Sequence, residues 1–120
     1  MATITALTAQ MKNPDRVNVF IDGTFALGLA LTVAAGLRVG QEISQAELEK
    51  LDQHDEVHRA RERVLGLLAR RPYSSSEISR YLRRHQMGDE TIQNVIDDLT
   101  EAKLIDDDAF AAYWVEQRET

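Results

Sequence analysis

Apolar residues recur with two different periods along this chain, and the change between them falls in the glycine-punctuated stretch between Gly36 and Gly40. Before it, Thr3 to Ala9 mixes threonine with Ile4 and Leu7, and Arg16 to Ile21 sets Val17, Val19 and Ile21 on one side, the period of two expected of half-buried strands. Lys12-Asn13-Pro14-Asp15 between them is a turn by composition. Asp22-Gly23 then separates VNVFI from TFALGL, and because both positions tolerate positive φ the pair predicts a two-residue hairpin. That loop length places Phe20 opposite Phe25 as a cross-strand aromatic pair. A short helix near Leu31 to Ala35 follows the hairpin.

Beyond Gly40 the period becomes helical. Ser44 and Glu47 fit a capping box, in which each side chain satisfies a backbone donor of the other residue. They open a helix through Glu49 and Leu51 that breaks near Gln53 to Asp55. A longer helix runs on to Arg71, where Pro72 forces the preceding residue out of helical geometry. Within it Val57, Ala60, Val64, Leu67 and Leu68 make an apolar stripe, with Arg59, Arg63 and Arg70 on the other side. Ser74 and Glu77 form a second capping box for a helix that turns Ile78, Tyr81 and Leu82 inward and Arg80, Arg83 and Arg84 outward. Gly88 is read as the cap closing that helix and Asp89 as the cap opening the next. From Glu90 to Ala102, Ile92, Val95, Ile96 and Leu99 face inward, opposite Asp97, Asp98 and Glu101.

The last segment, LIDDDAFAAYWVEQR, begins another helix. Asp106, Asp107 and Asp108 supply acceptors and negative charge where a helix N-terminus has free N–H groups. Phe110 and Trp114, four residues apart, share a face. Two placements follow for them: folded back on the preceding bundle, or in contact with another chain.

With 120 residues and no cysteine, the chain buries roughly 60 to 70% of its unfolded surface and has neither disulfides nor thiolate chemistry. No apolar run approaches the roughly 18 residues of a membrane span, and MATITALTAQMK lacks the basic start and apolar core of a signal peptide. The expectation is a soluble cytoplasmic protein with no membrane partner. The net charge of −6 hides its distribution: residues 59–84 hold eight arginines against two glutamates, a local +6, while residues 85–120 hold ten acidic side chains against two basic ones, a local −8. Arg59, Arg63, Arg70, Arg71, Arg80, Arg83 and Arg84 are therefore the candidate partner-binding residues, for DNA phosphates or an acidic protein surface, and a solvated helix face is the plainer account of the same charges.

Catalytic, cofactor and metal sites are not expected. The aspartates read as a cap rather than a cation site, His54 and His58 supply two ligands where zinc needs more, and Ser74 to Ser76 lack a glycine-flanked elbow. No glycine-rich phosphate cradle is present in the sequence. The chain is accordingly read as a non-enzyme.

YSSSEISRYLRRH followed by NVIDDLTEAKLIDDDAFAAYWVEQR resembles the RecX family, the bacterial regulators of the RecA recombinase. The positions carrying the likeness are Ser74, Glu77, Leu82, Leu99, Leu104, Ile105, Asp106, Asp107, Phe110, Ala111, Trp114 and Arg118. The likeness covers the C-terminal half, and the β unit looks like the preamble some members carry. It implies tandem three-helix repeats that bind the RecA filament on DNA and restrain it. Against that pattern the chain offers one complete repeat, Glu56 to Lys103, and the first helix of the next, a shortened form. The expected fold is mainly α. Residues 1–43 form a small antiparallel β unit with a short helix, residues 44–103 a helical linker and a helix-turn-helix-like three-helix repeat, and residues 104–120 one extra C-terminal helix. The alternative function is a helix-turn-helix DNA-binding domain, with Ser74 to His85 as positioning helix and Glu90 to Ala102 as recognition helix. Self-association through Phe110 and Trp114 is the remaining partner expectation.

Overall fold

The change of period along the sequence is a change of architecture in the computed structural model, which describes residues 2–119. Residues up to Asp55 form one compact unit and those from Glu56 onward another. The first holds strands β1 (Ala2–Ala9), β2 (Arg16–Ile21) and β3 (Thr24–Ala30), the single-turn helix α1 (Leu31–Ala34) and the two-residue strand β4 (Glu42–Ile43). These strands make one antiparallel sheet in the order β3-β2-β1-β4.

The hairpin forms at Asp22-Gly23 as the sequence predicts, with φ of 50° and 85° at the two residues. Phe20 pairs with Phe25, their rings edge to face at 5.9 Å. The Gly23 N–H donates to the Thr5 hydroxyl at 2.9 Å, at the irregularity where the β1 register shifts between Ile4 and Ala6. Ile4, Val17, Val19, Leu29, Ala34 and Ile43 fill the core of this unit, and Leu48 and Leu51 pack against it. β4 leaves no signal in the sequence, because a two-residue strand is too short to show any period.

The expected break near Gln53 to Asp55 does not occur. α2 runs continuously from Gln45 to Leu68, opened by the Ser44–Glu47 capping box. No glycine or proline stands at or beside Gln53 to Asp55, and the polar residue Asp55 is turned inward. Asp55 is 1% exposed, and its carboxylate accepts from the Ala30 N–H at 2.7 Å and from both terminal nitrogens of Arg16 at 3.4 and 3.1 Å. A buried carboxylate is tolerated where charge-assisted hydrogen bonds replace its water.

The second unit contains the end of α2 with α3 (Ser75–Arg84), α4 (Asp89–Glu101) and α5 (Asp107–Glu119). Ala60, Val64, Ile78, Leu82, Met87, Ile92, Val95, Leu99 and Ile105 form its core. Buried Thr91 donates its hydroxyl to the Glu56 carboxylate, joining α4 to α2. The caps between α3 and α4 differ from expectation. Gln86, at φ 63°, takes the left-handed position that ends α3, with the Met87 N–H returning to the Leu82 carbonyl at 3.0 Å and the Gln86 N–H to that of Arg83 at 3.0 Å. Gly88 is instead the extended N-cap of α4, and Asp89 is that helix's first residue. Apolar Met87 has to enter the core directly after the cap, which fixes the left-handed residue at Gln86. Lys103, at φ 62°, ends α4 the same way, the Leu104 N–H reaching the Leu99 carbonyl at 2.8 Å.

Replacing Asp55 with alanine leaves the Arg16 charge and the Ala30 N–H unpaired, and urea denaturation should show a loss of about 2–3 kcal/mol. A loss within experimental error would mean that water substitutes for the carboxylate. Leu99→Ala should cost about 2–5 kcal/mol by the same measurement as a core truncation, and a near-neutral value would remove Leu99 from the core.

Candidate partner-binding surface

Serine is favoured at the start of a helix because its hydroxyl accepts a free backbone N–H, and Ser74 does this for α3. The Glu77 N–H donates to the Ser74 hydroxyl at 3.1 Å, and the Ser74 N–H donates to the Glu77 carboxylate at 3.1 Å. The second Glu77 oxygen accepts from Arg71 at 3.3 Å, and Arg71 also donates to the Pro72 carbonyl at 2.7 Å. The Arg71 guanidinium lies 3.8 Å from the centre of the Tyr73 ring. Burial pushes the Glu77 carboxyl up, but the Ser74 N–H and the Arg71 guanidinium outweigh it and hold the group below the usual carboxylate range. The hydrogen bond to Glu77 raises Arg71 in turn, against the opposing effect of its own burial.

Beside this pair a groove of about 450 Å³ is lined by Leu67, Arg71, Tyr73, Arg80, Tyr81 and Arg84, with Glu77 among them. Arg80 and Arg84, one turn apart on α3, are exposed and make no ion pair among the described residues. The groove thus gathers three of the seven arginines singled out in the sequence. The other four do not line it. Arg59 and Arg63 are exposed one turn apart on α2, and Arg70 is exposed in the turn that follows. Arg83 faces solvent 3.6 Å from Asp89, an exposed pair of little energetic weight. Arg71 is the half-buried one of the seven, and it is committed to Glu77, Pro72 and Tyr73.

Sequence reasoning missed Tyr73 and Tyr81 as groove walls, since Tyr81 reads as core and Tyr73 stands next to a proline with no period around it. Arg61, left out of the candidate set, pairs with Asp98. Among the described residues no group of three histidine, cysteine, aspartate or glutamate side chains is placed to hold a metal ion.

The three aspartates at the start of α5 differ in their contacts. Asp106 is the cap, accepting from the N–H groups of Asp108 and Ala109 at 3.0 and 3.1 Å. Asp107 reaches across to α3, where its carboxylate accepts from the N–H and hydroxyl of Ser75 at 2.9 and 3.0 Å. On α5, Phe110 and Tyr113 are half-buried, and the Trp114 ring meets both of theirs edge to face, at 6.2 and 5.7 Å. Trp114 remains 43% exposed and lies 5.5 Å from the Arg71 guanidinium. Leu104 and Val115 are also exposed.

A small antiparallel sheet unit leading into a compact helical module, the latter carrying exposed basic groups beside aromatic faces, defines a two-unit modular protein. The family models make this specific: the one described as "Regulatory protein RecX N-terminal domain" matches residues 2–44, and "RecX, first three-helix domain" matches residues 60–99. This chain belongs to the RecX family. The regulatory protein RecX of Bacillus licheniformis is 31% identical over 117 residues, spanning 96% of this chain and 44% of the relative. That of Oceanobacillus iheyensis is 31% identical over 125 residues, spanning 98% and 46%. A crystal structure of regulatory protein RecX superimposes with a TM-score of 0.78 at 28% identity, over 98% of this chain and 58% of that one. The chain therefore spans about half the length of the curated relatives it matches.

The Arg71–Glu77 pair makes stability acid-sensitive. Because the folded Glu77 carboxyl is held down, its contribution is complete above the unfolded value of roughly 4.3 and is lost as pH falls through the lower folded value. Glu77→Gln, which keeps a capping acceptor, should flatten that part of the stability profile measured by thermal melts between neutral and acid pH. An unchanged profile would assign the acid sensitivity to other carboxylates.

Proposed function

We propose that this chain binds the RecA filament on DNA and restrains the recombinase in the cytoplasm by contact alone, without chemistry of its own. The observation that carries the reading is the exposed arginine surface at and beside the matched three-helix module, Arg59, Arg63, Arg70, Arg80, Arg83 and Arg84 together with the groove at Arg71. Guanidinium groups in planar, multi-donor array suit the phosphates and carboxylates that a nucleoprotein filament presents. No helix among the described residues is long and apolar enough to cross a membrane, which fits a partner met in solution.

The helix-turn-helix alternative has a poor recognition helix. α4 exposes Asp97, Asp98 and Glu101, and carboxylates repel the phosphates that dominate DNA affinity. Contact between two chains through α5 is a separate element of the reading, supported by the exposure of Leu104, Trp114 and Val115.

The test is a RecA filament pull-down paired with RecA ATPase assays titrated with this chain and with its longest native form. Absence of both binding and inhibition by the longest form counts decisively against the reading. Arg80→Ala, Arg83→Ala and Arg84→Ala combined should weaken filament binding while folding stability stays within the roughly 0.5 kcal/mol usual for surface changes. Unimpaired binding would remove these three residues from the interface.

A further inference from the structure

Arg71 belongs to two assemblies at once. It walls the groove with Arg80 and Arg84, and it is also the cation against which Trp114 of α5 rests. None of the described α5 side chains is fully buried, so this helix depends on polar and edge contacts. These include the carboxylate of Asp107 on Ser75, the half-buried Phe110 and Tyr113, and the Arg71–Trp114 contact. The hold of Glu77 on Arg71 is a single bond of 3.3 Å, and one of its two oxygens already accepts from Ser74. A phosphate offers three acceptor oxygens or, as a phosphodiester, two, and a guanidinium binds such groups bidentately.

We propose that Arg71 couples the two assemblies, so that a phosphodiester strand seated on Arg80 and Arg84 draws Arg71 into the groove and frees Trp114, loosening α5. This rests on the preceding reading only in taking the arginine surface as the site of an anionic partner. The coupling is reciprocal by linkage: α5 competes with the strand for one guanidinium, and whatever weakens the Trp114 contact strengthens the groove. Tyr73, already stacked on Arg71, and Tyr81 supply ring faces along the path of the strand.

The sign of one substitution decides the matter. With the full chain and a fluorescein-labelled oligodeoxythymidylate followed by anisotropy, Trp114→Ala should tighten binding about two- to five-fold, the size expected from losing one exposed competing cation–π contact. Trp114→Phe should give a smaller gain. Trp114 is the single tryptophan of the sequence, so in the parent chain its emission should shift to the red as the oligonucleotide binds, and Arg71→Ala should abolish that shift. Circular dichroism of each variant checks that the helices persist. Unchanged or weakened binding by Trp114→Ala overturns the coupling but leaves the arginine site standing. A parent chain that fails to bind the oligonucleotide, or binds equally well after Arg80→Ala with Arg84→Ala, overturns the groove and the coupling together.

Discussion

The first unit depends on one carboxylate, that of Asp55. A helix cannot hydrogen-bond to a sheet through its backbone, since its own ladder uses those groups, so side chains must make the connection. Asp55 does so at the point where β3 ends, taking the Ala30 N–H and the forked donors of Arg16. The β unit is small, and its core is extended by Leu48 and Leu51 of the first half of α2. Position along α2 decides which of these side chains reach the sheet, and Asp55 fixes that position. The second half of the same helix then gives Ala60 and Val64 to the helical core.

In the helical unit, an arginine takes the corresponding role with a different outcome. Arg71 sits just past the end of α2 and just before a proline, where the chain must turn. It satisfies the Pro72 carbonyl, the Glu77 carboxylate and the face of Tyr73 at once. A lysine is a point charge and has no planar group to stack and fork together. Arg80 and Arg84 beside it remain exposed, whereas Arg71 is partly committed. The exposed arginine groove and the contacts of α5 consequently meet at one side chain.

The hairpin, the aromatic pair, both capping boxes and the inward faces of α3 and α4 were legible in the residues, because each depends on local spacing within a few positions. The outward direction of Arg80, Arg83 and Arg84 was legible for the same reason. The unbroken α2, the strand β4 and the cap at Gln86 were not. A run such as Gln53-His54-Asp55 looks like a helix end until the acceptor role of Asp55 toward a residue 25 positions away is known. Gly88 looks like a terminator until the demand of Met87 for the core shifts the left-handed residue back to Gln86.

The sequence by itself therefore determined the order of a β unit and a helical module, their family and the segregation of charge along the chain, since period, turn chemistry and motif are all written locally. Only the tertiary structure decided which charges pair and which stay open. Asp55 and Arg71 are committed, Asp107 is spent on Ser75, and Arg80 and Arg84 are left on the rim of a groove. The physical reason is that a charged side chain has several partners within the range of its rotamers. Distant segments, brought together by burial of the apolar faces, select among them.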